Sequence, residues 1–235
     1  MQISSEPYSI SKEQAYIIKG IAILLMFVHH FFTFPDWIVP GSYEPNLTFA
    51  ALFNLPTRLC VGLFAFLNGW TLAFRPLTCK AAWNKIKKLF LGYWCIAIPA
   101  ILFAAVICRY PFTMLSAIAE LFGFNHAVMF FNWYVPFYAV SVLLVLGMQK
   151  MLSKNVCTGL IFGVILPIFV LTLVKKLPFS SDMKTLITEL RHWFPCIAVG
   201  YMSYQNNWLG WLHKITASRS RYAAAIGLML FCLAG

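Results

Sequence analysis

Charged residues are scarce in this chain, and acidic residues are the scarcest of them. Of 235 residues, 11% are charged and only seven are aspartate or glutamate, against 18 lysines and arginines. An average soluble domain has about 25% charged residues. Hydrophobic residues make up 61% of the sequence, and several apolar runs approach or exceed the roughly 20 residues that a helix needs to cross a bilayer. The composition excludes an ordinary soluble domain and predicts an integral membrane protein.

Sequence signals of several other classes are absent. The apolar-polar alternation of an outer-membrane barrel is not found, nor is an internal repeat. The polar stretch MQISSEPYSISKEQ precedes the first apolar run without a small-residue cleavage site, so we expect that run to stay in the mature protein. The seven cysteines form no C-x-x-C pair. We therefore expect them to be small buried hydrophobic residues that form neither disulfides nor a metal site. We predict one all-α, polytopic transmembrane helix bundle over residues 1–235.

Apolar length and helix breakers predict about seven helices. They are expected near residues 14–34, 57–75, 87–109, 132–149, 156–174, 190–205 and 220–235. Two shorter stretches, 46–56 and 112–124, are expected to lie at the membrane interface. The last run, RYAAAIGLMLFCLAG, is shorter than the roughly 20 residues of a full crossing. We therefore expect a truncated last helix, either because the sequence is a fragment or because a partner such as a second copy covers it.

The distribution of basic residues predicts the orientation of the chain. With a cytoplasmic N-terminus, twelve of the 18 lysines and arginines fall on the cytoplasmic side, and five of the seven acids fall on the other. This asymmetry follows the positive-inside rule, which explains the net charge of +11 better than nucleic-acid binding does. We predict a multi-pass protein of the cell membrane with a cytoplasmic N-terminus and no nucleic-acid partner. The twelve are Lys12, Lys19, Arg75, Lys80, Lys85, Lys87, Lys88, Lys150, Lys154, Lys214, Arg219 and Arg221.

The first apolar run contains one lysine and two histidines. Lys19 and His30 are eleven residues apart, which places them within roughly 20° of one helix face and about 16 Å apart along the axis. His29 is rotated from His30 by about 100°. An ionisable residue inside the membrane indicates a functional site by default, although a single histidine can also serve as a hydrogen-bonding link between helices. The shared stripe favours His30 as a general base, with His29 in a supporting role.

A lysine cluster begins the third predicted helix. In WNKIKKLF, Lys85 and Lys88 are three residues apart and therefore neighbours on one helix face, with Lys87 beside them. Such a cluster either clamps a phosphate-bearing ligand or anchors the helix among lipid headgroups.

Other polar groups lie in or beside the apolar runs. Arg58 and Asn68 flank and interrupt the second run, and Trp133 and Tyr134 begin the fourth, where interfacial aromatic residues are common. Gly62 and Gly69 share a helix face, which predicts close helix packing there.

These features together resemble the membrane acyltransferase-3 family. The family signature of arginine, ten residues and histidine corresponds to Lys19 and His30, and its arginine-x-x-arginine motif corresponds to residues 85–88. VGLFAFLNGW is similar to the second family helix, with Asn68 in place of serine. FNWYVPFYAV and FPCIAVGYM resemble two later motifs. The resemblance covers the chain from about Ile10 to Gln205.

The resemblance implies an enzyme that transfers an acyl group, usually acetyl, from cytoplasmic acyl-CoA to a sugar hydroxyl of an extracytoplasmic glycan or glycolipid. His30 and Lys19 would be catalytic, with His30 either activating the hydroxyl or carrying the acyl group. Acetyl-CoA would be the donor, without a metal. Lys85, Lys87 and Lys88 would bind the CoA phosphates, and the supporting or substrate-contacting residues would be His29, Arg58, Asn68, Trp133 and Tyr134.

Two other functions are compatible with the sequence. A transporter or flippase of a glycan precursor would use the polar stripe as a path, and Pro99 and Pro167 would break its helices. A non-catalytic membrane scaffold is the third hypothesis. Substrate flux without a requirement for CoA would identify the transporter, and a normal phenotype after replacement of both Lys19 and His30 would identify the scaffold.

Overall fold

The protein is built from helices. The computed structural model describes residues 10–33, 58–125, 128–129 and 132–211, and no strand occurs among them. The predicted all-α bundle is therefore confirmed. The predicted helix 220–235 and the stretch 46–56 lie outside the described residues.

The described residues form eight α-helices and one π-helical segment. The first four are α1 (Lys12–Thr33), α2 (Leu59–Leu72), α3 (Cys79–Val106) and α4 (Met114–Leu121). The others are α5 (Tyr134–Leu152), α6 (Val156–Leu160), the π segment (Ile161–Ile165), α7 (Leu166–Val174) and α8 (Ser181–Gln205).

Two helices begin well before their predicted first residues. The side chain of Thr78 accepts a hydrogen bond from the backbone N–H of Ala81, and that of Ser180 accepts one from Met183. Such N-caps satisfy backbone groups that the start of a helix leaves unpaired. Consequently α3 starts at Cys79, before predicted residue 87, and α8 starts at Ser181, before predicted residue 190. Apolar length missed both starts because the first turns of these helices are polar.

Within the described part of the chain, three helical stretches are long and apolar enough to cross a membrane. They are α3, α5 and the continuous rod Val156–Val174, which comprises α6, the π segment and α7. The rod coincides with the predicted helix 156–174. The predicted interfacial stretch 112–124 contains the eight-residue α4. These apolar helices indicate a membrane-associated protein.

The core forms where α2 packs along α8, the most extensive helix pair among the described residues. Gly69 and Gly200 permit the contact, because a Cβ atom at Gly69 would overlap the backbone of Ile197 and one at Gly200 would overlap that of Phe66. Gly62 faces Trp193 on the same helix pair. Close packing at Gly62 and Gly69 is therefore confirmed.

The remaining helices surround this pair. α1 packs on α2, α5 packs on α8 and on α3, and α4 packs on α3. In the rod, Gly159 and Gly163 lie against Leu152 and α8. Four cysteines that were expected to be buried are exposed in the described structure, namely Cys79, Cys95, Cys108 and Cys157. Most of them lie on helix faces that no described helix covers, so apolar sequence context alone misjudged their burial.

Hydrogen bonds align the helix ends. The Gln149 side chain accepts from the N–H of Leu77 at 2.9 Å and donates to its carbonyl at 2.8 Å. Gln205 donates to the carbonyl of Ala73 at 2.9 Å. The ends of α5 and α8 therefore meet the α2–α3 connection, and we call this the Leu77 end. The opposite end, where α2 begins, is the Arg58 end.

Candidate functional site

The lysine and the two histidines within the apolar part of α1 are partly covered by the bundle. Ala22 is completely buried, and Lys19, His29 and His30 are half-buried. Phe27, by contrast, is 67% exposed. Since α1 packs on α2, His29 faces the bundle, and the stripe with Lys19 and His30 lies at the edge of the packed side. This is the placement that an intramembrane ionisable residue requires if it is to avoid lipid.

The two histidines occupy different positions around this packed side. At about 100° per residue, His29 lies within roughly 20° of the direction of Ala22 and His30 about 80° from it. Their ring centroids are 5.5 Å apart. His29 also lies close enough to Arg58, at the start of α2, for electrostatic interaction. Both imidazoles therefore belong to one polar cluster at the Arg58 end.

The first half of α8 adds ionisable groups to this cluster. Arg58 interacts electrostatically with Glu189 and His192. Glu189 accepts a hydrogen bond from the indole N–H of Trp193 at 2.9 Å, and the guanidinium of Arg191 lies 2.9 Å from His192 Nε2. Sequence spacing did not select these α8 residues as a site, because their proximity to α1 and α2 arises only from helix packing.

Two predicted supporting residues are brought together inside the bundle. The side-chain amide of Asn68 on α2 donates a hydrogen bond to the hydroxyl of Tyr134 on α5, at 2.6 Å. The Tyr134 ring stacks on Tyr138 and makes an edge contact with Trp133. The Asn68 amide thus has a direct partner, and the aromatic residues pack in the bundle and not only at its rim.

A buried carboxylate was missed by the sequence analysis. Glu120 on α4 is completely buried, and its Oε1 accepts hydrogen bonds from the Met129 N–H at 2.9 Å and the Asn132 side-chain amide at 3.3 Å. Tyr93 on α3 donates to the Glu120 carbonyl at 2.7 Å. These bonds fix the segment that leads into Trp133 and Tyr134. A lone acid inside the apolar stretch 112–124 was the available signal.

Removal of the Glu120 carboxylate is expected to weaken this part of the fold. Glu120→Ala leaves buried donors without an acceptor, which costs about 3 kcal/mol. Glu120→Gln keeps an acceptor oxygen, so we expect a loss of about 1 kcal/mol. Thermal unfolding in detergent measures the stability of both variants, and Glu13→Ala, at an exposed position, is the matched control. A Glu120→Ala transition temperature equal to that of Glu13→Ala would contradict the role assigned to the carboxylate.

The three α3 lysines point in different directions. Lys85 is half-buried, whereas Lys87 and Lys88 are exposed. The last two line a shallow groove with Asn84, Leu91, Gly92 and Cys95. α3 packs mainly on α5, and α1 packs on α2. The described structure therefore does not join this cluster to Lys19 and His30 through a packed helix interface.

The chain matches no protein-family model, no curated protein and no solved structure.

Proposed function

We propose that the protein is a multi-pass membrane acyltransferase with a cytoplasmic N-terminus. It transfers an acyl group, usually acetyl, from acyl-CoA to a sugar hydroxyl of a glycan or glycolipid on the opposite face of the membrane. The observation that supports this proposal is the packed side of α1, where Lys19 and His30 are half-buried and His29 lies within electrostatic range of Arg58.

The proposed chemistry places a base at one end of the α1 stripe and a cation at the other. His30 accepts the proton of the sugar hydroxyl as its oxygen attacks the thioester carbonyl, and the departing CoA sulfur receives a proton. Lys19, about 16 Å away along the helix axis, binds a CoA phosphate, so that the extended pantetheine arm follows the stripe. Lys85, half-buried at the Leu77 end, is the second proposed phosphate contact.

Four further residues are proposed to hold the acceptor and the base in place. His29 lies next to His30, and Arg58 lies within electrostatic range of His29, at the end where the acceptor is proposed to arrive. Asn68 and Tyr134 form a hydrogen-bonded pair within the bundle. Both groups supply donors and acceptors that suit sugar hydroxyls.

Proteoliposomes test this function directly. The purified chain is reconstituted into vesicles that enclose a mixture of short neutral and acidic oligosaccharides, and acetyl-CoA labelled in its acetyl group is added outside. We expect alkali-labile label on the enclosed sugars and an equal amount of CoA released outside. Efflux of unlabelled sugars without a CoA requirement would indicate a transporter. Absence of label, efflux and CoA binding would indicate a scaffold.

A transporter remains the second candidate because of one feature of the rod. The π segment Ile161–Ile165 interrupts its α-helical hydrogen bonding directly before Pro167. Short π-helical stretches are frequent at functional sites, and interrupted helices form the substrate sites of many transporters.

A further inference from the structure

One groove lies along the N-terminal half of α3. Six residues line it and its volume is about 470 Å³. The lining residues are Asn84, Lys87, Lys88, Leu91, Gly92 and Cys95. The buried residues of α3, such as Ile86 and Tyr93, lie on other sides of the helix. The groove therefore opens away from the described core.

One end of the groove is cationic. Lys87 and Lys88 are both exposed, and α3 contains no acidic residue that would neutralise them. Trp83, one turn earlier, is 64% exposed. An exposed tryptophan beside lysines is typical of the headgroup region of a bilayer. A phosphate near the two ammonium groups would thus lie at the membrane surface.

The other end of the groove is apolar and open. Leu91 and Cys95 are exposed, and a Cβ atom added at Gly92 would meet no atom within 4 Å. The lining from Lys88 to Cys95 runs about 10 Å along the helix axis. The exposed side chains of Ile98 and Leu102 extend this apolar surface further. The missing side chain at Gly92 leaves room for a hydrocarbon chain against the helix backbone.

We propose that this groove binds one anionic phospholipid of the surrounding membrane. Its phosphate lies between Lys87 and Lys88, and one acyl chain follows Leu91, Gly92 and Cys95. A water-soluble anion would satisfy only the lysines, because the rest of the groove is apolar and belongs to a helix apolar enough to cross a membrane. The proposal assigns Lys87 and Lys88 to a lipid phosphate, whereas the family resemblance would assign them to the CoA phosphates. The acyltransferase function proposed above keeps Lys19 and Lys85 for the CoA phosphates.

Native mass spectrometry of the full chain determines which lipid the groove retains. The protein is purified in detergent with equal amounts of phosphatidylglycerol and phosphatidylcholine. We expect one tightly retained phosphatidylglycerol, with at least tenfold preference over phosphatidylcholine. Gly92→Phe fills the groove and is expected to lower retention at least tenfold. Gly147→Phe is the matched control, because Gly147 is also an exposed helical glycine with open space around it.

A second pair of variants tests the headgroup contact. The double variant Lys87→Gln/Lys88→Gln is expected to abolish the preference for phosphatidylglycerol. The control double variant Lys150→Gln/Lys154→Gln, at the same end of the bundle, is expected to preserve it. Gly92→Leu serves if Gly92→Phe does not elute as a folded species.

Three results would overturn the proposal. The first is equal retention of phosphatidylglycerol in the Gly92 and Gly147 variants, which would show that the groove does not hold the acyl chain of the lipid. The second is equal binding of the two lipids by the unaltered protein. The third is displacement of the lipid by inorganic phosphate alone, which would assign the lysines to a soluble anion.

Discussion

Valine in place of Gly69 is expected to destabilise the bundle by about 3 kcal/mol or more. The side chain would enter the contact between α2 and α8, where even a Cβ atom overlaps the backbone of Ile197. A flexible side chain could move aside at small cost, but a helix backbone can yield only if the two helices separate. Gly200→Val is expected to act in the same way, because its Cβ atom would overlap the backbone of Phe66.

Gly20 and Gly147 provide the controls for this prediction. Both are helical and exposed, and neither has an atom within 4 Å of an added Cβ atom. Their valine variants are expected to unfold within a few degrees of the unaltered protein. Fluorescence-detected size exclusion after a temperature series measures all four variants. If Gly69→Val and Gly147→Val lost the monodisperse peak at the same temperature, the proposed backbone contact would be wrong.

Local sequence patterns predicted most helices but not all of their limits. The first helix, the rod and α5 follow from apolar length, because the bilayer itself sets that length. The glycines of α2 also predicted its close packing. The starts of α3 and α8 were missed because Thr78 and Ser180 cap polar turns that apolar counting ignores. Helix propensity and capping extend a helix beyond its apolar part.

The candidate site was predictable only where its residues share one helix. Lys19 and His30 share a stripe because helical rotation is fixed, and the structure places that stripe at the edge of the surface that packs on α2. The hydrogen bond between Asn68 and Tyr134 joins residues that are 66 positions apart. No local pattern encodes such a pair.

Charge alone was a poor guide to what the α3 lysines contact. A count of charges treats Lys85, Lys87 and Lys88 alike, but the rotation of the helix gives Lys85 different surroundings from the other two. Lys85 is partly covered, while Lys87 and Lys88 border an apolar groove. Similarly, Glu120 is completely buried, whereas Asp182 and Glu189, the other described acids of the outer side, are half-buried. The partners of an ionisable group, more than its depth in the membrane, decide its role.

His30→Ala is expected to lower acyl transfer in proteoliposomes by about 100-fold or more, since general-base catalysis contributes typically 10²–10⁴-fold. Acetyl-CoA affinity is expected to change little, because the proposed phosphate contacts are elsewhere. Lys19→Ala should show the opposite division, with a raised KM for acetyl-CoA and a smaller loss of kcat. Initial rates of CoA release over a range of acetyl-CoA concentrations separate the two effects.

Two further variants make this comparison decisive. Phe27→Ala alters an exposed side chain three residues before His30, about 140° from the direction of Ala22, and is expected to retain full activity. His29→Ala removes the imidazole beside Arg58 and is expected to reduce the rate by less than tenfold, because His29 supports the site without accepting the proton. A His30→Ala rate equal to that of Phe27→Ala would refute catalysis by His30. A loss of acyl transfer in His29→Ala but not in His30→Ala would instead identify His29 as the general base.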